Sequence, residues 1–124
     1  MEKKGMVSLW LGNCLNKEEL EKYVDLTYDD EGESVPSKFL LDFKIDMNEI
    51  DEDFIEKAVL NNPSNDLTKL LNGSSYEEVI VPKLLIKINI KANYNAIILL
   101  YDFEYEEIIG SANKFDYIAS VNYI

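Results

Sequence analysis

Any chemistry in this chain would have to come from carboxylates and one thiol. The 124 residues include 24 Asp and Glu, a single cysteine and no histidine. The acids gather in two places, Asp29-Asp30-Glu31-Gly32-Glu33 and the stretch from Asp46 to Glu56. A calcium loop needs oxygen ligands at fixed positions and a glycine at the sixth. Asp46-Met47-Asn48-Glu49-Ile50-Asp51 puts Asp46 and Asn48 at the first and third. Ile50 then falls at the fifth, and Asp51 stands where the glycine must be. The calcium reading fails on those two residues. Paired carboxylates could cleave glycosides, but every acidic chain offers such pairs and no spacing here selects one. The clusters therefore read either as a solvated face that aids solubility or as a face that meets a basic partner.

The thiol fares no better. Cys14 would need a base to form its thiolate, and the usual one, histidine, is absent, with Lys17 a poor substitute. Gly12-Asn13 is too short for a phosphate loop, and neither the Walker nor the dinucleotide glycine pattern occurs. Trp10, Tyr101, Phe103, Tyr105, Phe115, Tyr117 and Tyr123 stand in strand-like contexts. Base-stacking modules join such rings to basic residues. Here all 12 basic residues are lysine and the net charge is -12. That surface repels nucleic acid and anionic membrane. We expect no catalytic residue, no metal and no cofactor, and neither nucleic acid nor membrane as a partner.

The elements that must position these groups can be read from patterning. Met6 to Leu11 is rich in branched and aromatic residues and predicts a strand ended by Gly12-Asn13. Asn16 with Glu19 has the form of a capping box, and Leu20, Tyr23, Val24 and Tyr28 share the face of the helix it opens. Pro36 suits the first turn of a short helix carrying Phe39, Leu40 and Phe43. Residues 54–60 read as a strand, although their pattern also allows a helix, and Asn61 to Asn65 as a turn, followed by a short helix over 66–71. Ser75 with Glu78 is a second candidate capping box. Lys83 to Lys91 fits either a helix or a strand, and helix is preferred, with Pro82 early in it or kinking it. Ala96 to Phe103 is nearly continuous in apolar residues, as an interior strand is, and Ile118 to Tyr123 ends the chain as a strand. This order predicts an α+β fold over residues 1–124, one domain, with a small mixed or antiparallel sheet and helices packed mainly on one face.

Apolar residues make up 47% of the chain, enough for a real core. The lone cysteine fits a reducing compartment. No stretch has the form of a signal peptide or approaches the roughly 20 apolar residues of a membrane helix. The expectation is a cytoplasmic protein.

One further pattern stands out. Val7-Ser8-Leu9-Trp10-Leu11-Gly12-Asn13 runs into a helix with Glu18-Glu19-Leu20 and Tyr23-Val24. Tyr28-Asp29, Phe39, Asp42-Phe43 and Asp51-Glu52-Asp53-Phe54-Ile55-Glu56 follow, and Ala96 to Tyr105 closes the pattern. Over residues 7 to 105 the chain resembles the immunity protein 22 family of bacterial polymorphic toxin systems. The resemblance implies a non-catalytic antidote that binds a cognate toxin domain. Many such toxins are nucleases, which need a basic cleft to attract a polyanion, and an acidic inhibitor can use that field for capture. In this reading Trp10, Phe54 and Phe103 are architectural, Gly12 lets the chain turn, and Asn13 satisfies backbone groups beside it. Charge clustering makes Asp29, Asp30, Glu31, Glu33, Asp46, Glu49, Asp51, Glu52 and Asp53 the candidate partner contacts. An acidic adaptor or structural interaction protein is the alternative function, and a small carboxylate-dependent hydrolase ranks last. No pattern sets an oligomeric state.

Overall fold

A computed structural model describes residues 2–106 and 108–124. Its centre is strand β1, Glu2–Gly12. Met6 to Gly12 is buried throughout, because β1 lies between two neighbours and under helices on both sides. The chain continues through helix α1 (Lys17–Val24), a small hairpin of β2 (Thr27–Tyr28) and β3 (Ser34–Val35), and helix α2 (Lys38–Asp42). Two single 3-10 turns, Met47–Glu49 and Glu52–Phe54, lead into β4 (Ile55–Ser64). Helices α3 (Leu67–Leu70) and α4 (Glu77–Lys87), then β5 (Tyr94–Phe103), β6 (Ser111–Ala112) and β7 (Phe115–Asn122), complete the chain. The main sheet is antiparallel, in the order β4-β5-β1-β7-β6.

The α+β class and the antiparallel sheet match the expectation, but the helices divide between both faces. On one face Trp10, Ala96, Ile98 and Leu100 pack with Leu20 and Val24 of α1 and with Phe39 and Leu40 of α2. On the other, Val7, Leu9, Leu11, Ile97 and Leu99 pack with Leu67 and Leu70 of α3 and with Ile80 and Leu84 of α4. The cause is local. β1 and β5 carry apolar side chains at consecutive positions, so alternation gives the sheet two apolar faces, and each needs a cover.

Asn16 caps α1 by accepting from the Glu19 amide at 2.9 Å, while Glu19 accepts from the Leu15 amide at 3.4 Å. Ser37 caps α2, so Pro36 stands just before that helix rather than inside its first turn. The turn predicted at Asn61 to Asn65 is a bulge near the end of β4: Val59 pairs with Ala96 and Ser64 with Tyr94. Pro63 is tolerated there because β4 is an edge strand.

Ser75 caps nothing. Tyr76 precedes α4 in a left-handed conformation (φ 61°), without a side-chain cap bond. The helix ends at Lys87, so residues 88–91 of the predicted helix lie outside it. Tyr28 is exposed in the hairpin and not part of α1.

Candidate functional site

The acids of the first cluster sit at the tip of the β2–β3 hairpin. Asp29 Oδ1 accepts from the amides of Glu31 and Glu33, at 2.9 and 3.0 Å, and Gly32 turns the chain with φ +81°. The second cluster is built the same way. Asp46 and Asp51 open the two 3-10 turns, each accepting at 2.9 Å from the amide two residues on. Aspartate suits all three positions because its short side chain bonds its own turn.

All nine predicted contact residues are exposed. The hairpin that carries the first cluster touches the second: the Tyr28 hydroxyl donates to Glu52 Oε1 at 3.4 Å. Ser34 of the hairpin and residues 47–52 line one cavity of about 500 Å³. Among the described residues, no group of Asp, Glu, Cys or His is arranged to hold a metal ion.

Beside this surface lies an aromatic cavity of about 330 Å³ that patterning did not reveal. Tyr76, Tyr101 and Tyr123 form a mutually packed triangle, with ring centroids 4.9 to 6.2 Å apart. Phe54, expected to be architectural, is 44% exposed at its edge, and Tyr76 is 47% exposed. Glu56 accepts from the Tyr101 hydroxyl at 2.8 Å and from the Ser75 amide and hydroxyl, both at 3.0 Å. Burial, then the bond to Glu56, pushes the Tyr101 hydroxyl well above its ordinary range.

At the far side Asp102 accepts from the Tyr123 hydroxyl and from the Gly5 amide. These bonds hold the Asp102 carboxyl below the usual range, the tyrosine first. The same bond raises Tyr123 to about 12. Tyr101 and Tyr123 stood out as aromatics in strand-like contexts, and Phe54, Glu56 and Tyr101 fell in the family-like pattern, but nothing joined them into one group; Tyr76 carried no signal, because it reaches the cavity through an irregular turn.

Trp10 and Phe103 are buried, as expected. The Trp10 ring lies 4.9 Å from Phe39 and 5.4 Å from Tyr117. Gly12 does not turn the chain. It pairs with Ala96 and Phe115, where an added Cβ would meet the Lys114 carbonyl oxygen at 2.5 Å. The Asn13 side chain donates to the Asn93 carbonyl at 3.5 Å, and its amide to the Lys114 carbonyl at 3.2 Å. Asn95 does the work expected of it, bonding the amide and carbonyl of Cys14 at 2.8 and 2.7 Å. Cys14 is buried, and burial followed by the Glu19 charge pushes its thiol up. That disfavours the thiolate a nucleophile needs.

Fold and surface together define an antiparallel α+β protein presenting carboxylates and aromatic rings on one side. The model of the Immunity protein 22 family matches residues 7–123, and the chain belongs to that family. Membership carries a protein-binding role of the immunity type, with a cognate toxin as the partner. No curated protein and no solved structure matched the chain. Among the described residues, no helix is long and apolar enough to cross a membrane.

Proposed function

We propose that this chain acts as one domain, a non-catalytic cytoplasmic antidote that neutralises a basic nuclease toxin through its acidic surface. The observation that carries this reading is the contact of the hairpin with the second 3-10 turn, through the Tyr28 hydroxyl and Glu52. It sets the exposed acids of the hairpin tip on an element that borders the acid-lined cavity of Glu49, Asp51 and Glu52. A nuclease has to hold a positive cleft for its polyanionic substrate. An inhibitor with the opposite field is steered to that cleft and discriminated from neutral partners.

The test keeps the turns intact. Asp29, Asp46 and Asp51 become Asn, which preserves the side-chain oxygen that caps each turn. Asp30, Glu31, Glu33, Glu49, Glu52 and Asp53 become Lys. Binding to the toxin domain encoded beside the chain should weaken, and its dependence on salt should flatten. Unchanged affinity and unchanged salt dependence would reduce the surface to a solvated face.

A further inference from the structure

The aromatic cavity is built unlike the rest of the surface. Its rings are not simply spare core. Tyr76 stays half exposed in a left-handed conformation, which side chains other than glycine rarely adopt. Asparagine or glycine would sit there with less strain. Glu56 lines the same cavity. Among the described residues, its partners are Ser75 and Tyr101, and no lysine reaches it. The neighbouring Lys57 pairs instead with Asp25 at 2.8 Å. Among the described residues the cavity thus holds a carboxylate without a counter-ion, beside aromatic rings whose faces carry negative quadrupole charge.

We infer that this cavity receives one lysine side chain of the toxin, with its ammonium at Glu56 and its stem along Phe54 and Tyr76. The inference rests on the toxin-binding reading above and names the anchor within it. Lysine fits better than arginine on acceptor count. A carboxylate offers about four lone-pair sites; the Ser75 amide and hydroxyl take two, and the Tyr101 hydroxyl, which also lies 2.8 Å from the Ser75 carbonyl oxygen, takes a third when its proton turns to Glu56. One site suits a point donor and not a guanidinium fork. The lysine stem gains apolar contact while its head keeps its charge. Location supports the same occupant. Phe54 and Tyr101 also line the cavity bounded by Asp51 and Glu52, so the pocket opens at the edge of the acidic surface.

The experiment measures the dissociation constant of the complex with the co-encoded toxin domain for the wild type, Tyr76→Asn and Glu56→Gln. Thermal melts run alongside. Tyr76→Asn should stay folded and melt close to the wild type, the relief of the left-handed turn offsetting the lost contacts with Tyr101 and Tyr123, yet bind about tenfold or more weakly. Glu56→Gln should weaken binding similarly. A double-mutant cycle of Glu56→Gln against each toxin lysine changed to methionine should show coupling at one lysine. If the wild type binds but both variants stay within about twofold of it, the pocket assignment is overturned and the toxin-binding reading stands. Coupling to an arginine alone, or to no toxin residue, also overturns the assignment. If the wild type does not bind the toxin at all, both readings fall together.

Discussion

Gly12 shows how one residue can be required without a turn. It sits where β1 passes closest to the start of β7, and a Cβ would stand 2.5 Å from both the Lys114 carbonyl oxygen and the Phe115 ring. Gly12→Ala should cost about 1–3 kcal/mol, the scale of overpacking in a closed site. A denaturant midpoint equal to the wild type's would refute that.

The Asp102–Tyr123 bond gives a second expectation at this scale. Asp102 is lowered from 3.8, so its contribution is present above that value and fades as pH falls through the folded value. Tyr123 is raised from 10.0 to about 12, so its contribution is complete below pH 10 and is lost on the way to 12. The stability difference between wild type and Tyr123→Phe should therefore be largest between those limits and shrink at both ends. A difference that is flat from acid to alkali would remove the bond from the account.

Residue identity was legible where the residue acts locally. Asn16 caps its helix, although Glu19 reaches back to the Leu15 amide rather than to the amide of Asn16, and Trp10 lies in the core. It was illegible where the partner comes from far along the chain, as for Asn95 bonding Cys14.

Elements followed patterning when period and length agreed. β1, α1 and β5 announced themselves through apolar spacing, and α1 through its cap. Asn16→Ala should cost about 1 kcal/mol, because the Glu19 amide loses its acceptor. A loss below the error of a melt would mean the capping box adds nothing.

α4 was harder to read because Pro82 interrupts it and Tyr76 begins it without a cap bond. Its apolar residues gain more from packing on the second face of the sheet than the local sequence loses. The hairpin and β6 have strands of only two residues, too short for any period to register. The placement of helices on both faces was latent in the consecutive apolar residues of β1 and β5. A strand that is apolar on successive positions has to be covered twice.

At the scale of the molecule, charge and shape divide the work. Residues 1–60 carry 16 acids against 7 lysines, and residues 61–124 carry 8 against 5. The fold sets the hairpin against the second 3-10 turn through Tyr28 and Glu52. The charge imbalance was plain in the sequence. That contact and the aromatic cavity between Phe54 and Tyr123 were not, because both depend on contacts between distant segments.

Association with a basic partner should slow steeply as salt rises from low to physiological strength, while dissociation changes less. Equal association rates across that range would deny electrostatic capture. The most direct test of the central claim is a titration of the co-encoded toxin domain's activity with this protein. Activity should be abolished at one equivalent, in a one-to-one complex. Full toxin activity in the presence of excess protein, with both chains folded, would contradict it.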